Sequence, residues 1–194
     1  VIYVGPSLAF NTDIFEPRVM QLFDQAPSLN AKVARGHKNK KTKKQVAGCS
    51  VRLGHAGSVN PLKSAPAAIT VIDEFDSMQD LKGHGSVLGL VSARGDSFAD
   101  SMTAVCSTPS EGTVETEKDP DSGIEFWKQA APEDVQSPVW RLFQEGTRHC
   151  WAWRCKHCLE WFVPRFANLK WRSSELGEHM TTPAEARRSA YVIC

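Results

Sequence analysis

The sequence predicts an α/β fold built on a parallel sheet, and three observations carry that prediction. Apolar runs at residues 1–4 and 67–72 read as short buried strands, and 102–106 as another short apolar strand. Between them, residues 11–23 and 87–94 place apolar side chains at helical spacing, as the crossovers of a parallel sheet require. The runs end at loop-forming or polar residues: Gly5-Pro6, Asp73-Glu74 and Ser107-Thr108-Pro109.

The elements follow in order. After the first strand, Ile14, Val19, Leu22 and Phe23 mark a helix with Pro17 near its first turn, and Ala26-Pro27-Ser28 breaks it. Residues 35–44 are dense in lysine without an apolar face, so they read as an exposed loop or hairpin tip. Residues 46–53 alternate loosely as a strand, with a loop over 54–61. The strand at 67–72 runs straight into Asp73-Glu74, and residues 81–98 hold one helix around 87–94. A polar, acidic loop covers 111–121, and 125–131 is expected to be a short helix. From about Gln144 the composition changes, with Trp151, Trp153, Trp161 and Trp171 crowded around a cysteine pair. The expected organisation is an α/β core over 1–120, a linker or helix over 121–145, and a cysteine-bearing segment over 146–194.

Composition narrows the class. Hydrophobic content of 41% and charged content of 23% fit an ordinary soluble protein, and a net charge of +1 requires any nucleic-acid-binding surface to be local. No apolar run reaches the roughly 18 residues of a membrane helix, and no signal peptide is visible. The chain starts inside a strand pattern without Met and stops on Cys194 after Tyr191-Val192-Ile193, so it reads as an internal fragment. The six cysteines lack the spacing of a secreted disulfide framework. Cys49 and Cys106 are expected to be buried small hydrophobes.

Three motifs carry chemistry. A strand ending in two carboxylates suits nucleotide hydrolysis, because Asp73 can hold magnesium while Glu74 polarises the attacking water. The carboxyl ends of strands are also where open α/β sheets place ligands. The partner motif G-x-x-x-x-G-K-[ST] is absent. Gly36-His37-Lys38-Asn39-Lys40-Lys41-Thr42 lacks the second glycine, so the phosphate loop is expected upstream of Val1. Ser107 and Thr108, at the tip of the next strand, can sense the terminal phosphate. Cys155 and Cys158, two apart, suit one zinc from a tight turn, with Cys194 as a third thiolate. Cys194 reads as the first cysteine of a second pair whose partner is expected outside the sequence, and the alternative fourth ligands are Cys150, His149, His157 and His179. Lys38, Lys40, Lys41, Lys43 and Lys44 are candidate contacts to DNA phosphates, against the alternative of a solvated loop. The tryptophans read as the small segment's core.

Taken in order, these pieces resemble the lambda-like, GpA-type family of phage terminase large subunits. Val1–Pro6 and the phrase ending Ala26-Pro27-Ser28-Leu29 resemble the strand and helix after its phosphate loop. Ser64-Ala65-Pro66 ahead of Val71-Ile72-Asp73-Glu74-Phe75-Asp76 resembles its Walker B region, and Val105-Cys106-Ser107-Thr108-Pro109 its coupling motif. Arg148 to Trp171, with Cys155-x-x-Cys158, Trp161-Phe162-Val163-Pro164 and Asn168-Leu169-Lys170-Trp171, resembles the knuckle that follows the ATPase core. Leu159 departs from that pattern, since a knuckle turn there favours glycine.

The resemblance implies a RecA-like P-loop ATPase core, incomplete here, followed by a truncated zinc-knuckle-like segment. It implies ATP and Mg2+, with Zn2+ at the cysteines, and a motor that packages double-stranded DNA into a procapsid. It further implies Asp73 on magnesium, Glu74 activating water, and Ser107 and Thr108 coupling hydrolysis to movement. Expected partners are DNA, the small terminase subunit, the portal and further copies of the chain, in the host cytoplasm and away from membranes. The parent would cut DNA with a nuclease domain outside this sequence, and the fragment alone would be inactive. Two rival readings are a helicase-type motor and a non-enzymatic zinc-knuckle adaptor.

Overall fold

A computed structural model describes residues 1–63, 66–81, 83–172 and 182–194. Ser64, Ala65 and His179, used in the sequence reading, lie outside the described residues. The chain forms two compact units, Val1–Gly112 with Val135–Leu142, and Thr113–Asp134 with Phe143–Cys194.

In the first unit, the buried strand β1 (Ile2–Gly5) leads into a π-helical turn at Phe10–Phe15 and then α1 (Glu16–Gln25). Pro17 follows directly on that turn, in which the Glu16 N–H bonds the Asn11 carbonyl, so its ring sits inside a continuous helical run at the change from π to α pairing. Extended backbone at Ala26 ends that helix and Pro27 starts the short α2 (Pro27–Asn30). The single strand expected over 46–53 is instead a hairpin of β2 (Lys43–Val46) and β3 (Cys49–His55). Ala47 and Gly48 both take positive φ between them, 51° and 81°, which suits the tight turn of a twisted hairpin. The loop expected over 54–61 is shortened, because β3 runs to His55 and α3 (Val59–Lys63) begins before its end. There follow β4 (Ile69–Asp73), α4 (Val87–Ser92) and β5 (Met102–Cys106). Ser86 caps α4 by accepting the Gly89 N–H at 3.1 Å.

The sheet order is β2-β3-β1-β4-β5, with β3, β1, β4 and β5 parallel and β2 antiparallel at one edge. The chain leaves β1 toward β3 on one side and returns to lay β4 on the other. Strand order therefore reverses at β1 and β4, and a crevice at their carboxyl ends is where such sheets take ligands.

Alternation along the strands divides the packing between two faces. Ile2, Val4 and Ile72 meet Leu62 of α3 and Val87 and Val91 of α4 in the main core. Tyr3 lies on the other face, its ring stacked on Phe15 with centroids 3.6 Å apart. Lys44 of β2 is buried and forms an ion pair with Glu16 of α1. Asn11, fully buried, donates from Nδ2 to the Gly54 carbonyl at 2.5 Å.

In the second unit, β6 (Thr116–Lys118) and β7 (Glu125–Trp127) form an antiparallel hairpin. The short helix expected from Glu125 is thus a strand. Asp119 fixes the connecting turn by accepting the Ser122 N–H at 2.8 Å and its hydroxyl at 2.6 Å. The helix α5 (Pro138–Glu145) contributes its residues up to Leu142 to the first unit and Phe143 onward to the second. Buried Gln144 donates to the Lys128 carbonyl and accepts from the Ala130 N–H, both at 3.2 Å, so its amide is satisfied. Two further antiparallel pairs follow: β8 (Trp153–Arg154) with β9 (Trp161–Phe162), and β10 (Leu169–Lys170) with β11 (Tyr191–Val192). Between the last two lies α6 (Pro183–Ser189), opened by a Thr182/Glu185 capping box.

The tryptophans expected as a core are instead exposed, Trp151 at 78% and Trp161 at 55%. These strand pairs are only two residues long, and among the described residues no second layer covers their large rings. Cys49 and Cys106, expected buried, are also exposed, at the hairpin turn and at the end of β5. No helix among the described residues is long and apolar enough to cross a membrane.

Gly5 is required by close approach. A Cβ there would meet Asn11 Oδ1 at 2.1 Å and the Phe10 ring at 3.1 Å. Gly5→Ala is expected to destabilise the protein by about 1–3 kcal/mol, read as a lower midpoint in chemical denaturation. An unchanged midpoint would place that strain elsewhere.

Candidate functional site

The acid pair forms where β4 stops. Asp73 is the last residue of the strand, and its pairing with Cys106 keeps it level with the end of β5. Glu74 then turns the chain into the left-handed region, at φ 57° and ψ 44°. For a non-glycine residue that conformation costs on the order of 1 kcal/mol or more, and such strain gathers at functional positions. A 3₁₀ turn at Phe75–Ser77 follows, closed by the Ser77 N–H on the Glu74 carbonyl at 2.9 Å.

Asp73 is held from three directions. The Tyr3 hydroxyl of β1 donates to Oδ2 at 2.7 Å. The Glu74 N–H donates to Oδ1 at 3.1 Å, and the Cys106 thiol reaches the same oxygen at 3.4 Å. Burial first, then the hydrogen bond to Asp73, pushes the Tyr3 hydroxyl far above its ordinary pKa. It therefore stays protonated and remains a donor. The same two causes raise the Cys106 thiol.

Ser107, half-buried at the end of β5, accepts the Asp76 N–H on its Oγ at 3.0 Å. The structure thus brings Asp73, Glu74 and Ser107 to one carboxyl edge, with Thr108 exposed beside them. Tyr3, Cys106 and Asp76 have no expected site role from the sequence. Their signals were a lone phenol in a buried strand, a thiol at a strand end, and a third acid close behind a pair. Carboxylate oxygens are hard donors of the kind magnesium takes, and both oxygens of Asp73 accept hydrogen bonds at this edge.

The cysteine site belongs to the second unit. Cys155 opens a tight turn in which the Leu159 N–H bonds the Cys155 carbonyl at 3.1 Å. Leu159 takes φ 65°, the conformation for which glycine is the ordinary choice. Cys194 is delivered by the pairing of β10 with β11 and by Asn168, whose backbone carbonyl and Nδ2 both bond Ile193 at 2.9 Å. The Sγ atoms of Cys155, Cys158 and Cys194 all lie within 4.8 Å of one another, close enough to share one metal ion. His149, His157 and Cys150 are not in that group among the described residues.

N–H groups of Cys158 and His157, then the neighbouring thiols, lower Cys155 to about 6. Cys194, donating to that cluster, is raised to about 11. Three soft sulfurs, one of them readily ionised, make a donor set suited to zinc.

The lysines divide. Lys38, Lys40, Lys41 and Lys43 are exposed around a tight turn in which Lys40 and Lys43 bridge. Lys44 points inward to Glu16 and is not available to phosphates. Strand alternation explains the split, because Lys43 and Lys44 face opposite sides of β2.

A mostly parallel α/β sheet with an acid pair at its carboxyl edge, accompanied by a thiol cluster, defines an ATPase-type core with a metal-suited appendage. The sequence model of the family described as phage terminase large subunit gpA, ATPase domain, matches residues 1–194, so the chain belongs to that family. No curated protein and no solved structure gives a significant match.

The thiol ionisation is open to measurement. With the protein free of metal, alkylation of Cys155 is expected to rise through a midpoint near 6 and to outpace Cys106 at pH 7. Equal rates at the two cysteines would contradict the turn geometry.

Proposed function

We propose that these residues form the hydrolytic centre of an ATP-driven motor that moves double-stranded viral DNA into a procapsid. The observation that carries this reading is the strained Glu74, set immediately after a three-way anchored Asp73 and bonded through its turn to Ser107. Asp73 holds the magnesium of the nucleotide, which supplies charge stabilisation at the phosphates when bound. Glu74 takes a proton from water as its oxygen attacks the γ-phosphorus. The bond from that phosphorus to the bridging oxygen breaks, and ADP leaves with the electron pair.

Ser107 and Thr108 form the coupling segment, because Ser107 shares a hydrogen bond with the turn that bears Glu74. No G-x-x-x-x-G-K-[ST] loop occurs in the 194 residues. In this reading the grip on the phosphates comes from residues outside them, and the 194 residues alone are inactive.

Cys155, Cys158 and Cys194 hold zinc as a structural knuckle, supported by their mutual approach and by the low pKa of Cys155. Lys38, Lys40, Lys41 and Lys43 touch DNA phosphates, supported by their exposure and shared sign. In this reading the working motor is a homo-oligomer that engages the small terminase subunit and the portal in the host cytoplasm. A nuclease domain elsewhere in the parent cuts the DNA.

The test is ATP turnover by the full-length terminase, with and without duplex DNA. Glu74→Gln is expected to keep nucleotide binding and lose turnover by about 100-fold or more. Full turnover in that variant would remove Glu74 from the chemistry. Duplex translocation by the wild type, without unwinding of a fork, would separate a terminase from a helicase.

A further inference from the structure

Beyond the acid pair, the same turn carries a third carboxylate, Asp76, which collects donors from two other segments. Its Oδ2 accepts the Ser110 N–H at 2.9 Å and the Ser110 hydroxyl at 3.1 Å. Its Oδ1 accepts the Val139 N–H at 2.7 Å. The hydroxyl of buried Ser137 bonds the carboxylate as well. Through its own N–H, Asp76 donates to Ser107 Oγ at 3.0 Å.

Partial burial works against the charge. The bonds from Ser137, Val139 and Ser110 outweigh it and hold the carboxyl below its ordinary pKa. Asp76 is thus an anion at neutral pH, and its hydrogen bonds are of the stronger, charge-assisted kind.

The two gripped segments differ in origin. Ser107 to Ser110 is the loop leaving β5, and Ser137 to Val139 is the start of α5. Ser137 already caps that helix by accepting the Trp140 N–H at 3.2 Å, and Pro138 has no N–H to satisfy. A carboxylate from 63 residues away, taking the next free donor, is more than α5 needs to begin. It does fix where α5 begins relative to Glu74, two residues before Asp76 and in the same turn.

We propose that Asp76 is a positioning residue that locks the loop after β5 and the start of α5 to the turn bearing Glu74, so that hydrolysis and DNA movement stay coupled. The proposal rests on the reading of Glu74 as the residue that activates water. Asp76 itself touches no reacting atom. Its loss should change how much movement each hydrolysis yields, not whether hydrolysis occurs.

The experiment uses the full-length terminase and measures ATP turnover and the length of DNA translocated per ATP in the same preparations. Asp76→Asn keeps the size of the side chain but turns one acceptor oxygen into a donor facing other donors. The expected result is a nucleotide KM and turnover within about threefold of wild type, with DNA moved per ATP falling by about tenfold. An unchanged DNA-to-ATP ratio overturns the proposal. So does a loss of turnover as deep as that of Glu74→Gln, which would put Asp76 in the chemistry. Should Asp76→Asn lose its cooperative unfolding transition, Ser110→Ala decides, since it removes one hydroxyl donor and leaves the carboxylate in place. A lowered ratio at wild-type turnover then supports the lock, and an unchanged ratio overturns it. Failure of the underlying reading shows separately, as turnover surviving in Glu74→Gln.

Discussion

The carboxylate of Asp73 is fastened at the end of β4 by groups that only a parallel sheet of this order brings together. Tyr3 reaches it from β1 on one side, and Cys106 from β5 on the other. The Glu74 N–H closes the third direction and, in doing so, keeps company with the left-handed turn. A hydrogen bond to a charged group contributes about 1.5–3 kcal/mol, which is enough to offset the strain at Glu74. The position of Glu74 and the entry of the following 3₁₀ turn both descend from that anchoring. The core beneath serves the same end, since Ile2, Val4 and Ile72 fix β1 and β4 side by side.

Much of this was legible in the sequence because the strands of a parallel sheet announce themselves as apolar runs. β1, β4 and β5 lie within a residue or two of where their runs place them, and α4 follows its periodicity. The hairpin of β2 and β3 was hidden because Ala47 occupies a positive-φ position that glycine or asparagine would have advertised. Lys44 was hidden by its neighbours. In a run of lysines, only strand alternation distinguishes the one that pairs inward with Glu16. The helix expected at Glu125 failed because a three-residue strand is too short to show a period. The exposed tryptophans failed for a different reason: aromatic density suggests a core only where a second layer exists to cover it.

Candidate site residues were legible as chemical types and not as geometry. Asp73, Glu74 and Ser107 could be named from strand ends, but Tyr3 and Asp76 act across the sheet and across 63 residues, which no local pattern records. The cysteines show the same division. Cys155 and Cys158 announce a turn, whereas the nearness of Cys194 depends on β10 pairing with β11. The second unit has few buried apolar side chains among its described residues, Val163 being one. Small units of that kind ordinarily lean on a metal or a disulfide for stability, which agrees with thiols drawn together there.

The central claim is that Asp73 meets the metal of a bound nucleotide at the carboxyl edge of the sheet. Manganese can replace magnesium and be followed by electron paramagnetic resonance in the full-length terminase with a non-hydrolysable ATP analogue. The account predicts that Asp73→Asn weakens nucleotide-dependent manganese binding by about tenfold or more, while the fold is retained. Identical manganese binding in the two proteins would contradict it and leave the anchoring of Asp73 a purely structural device.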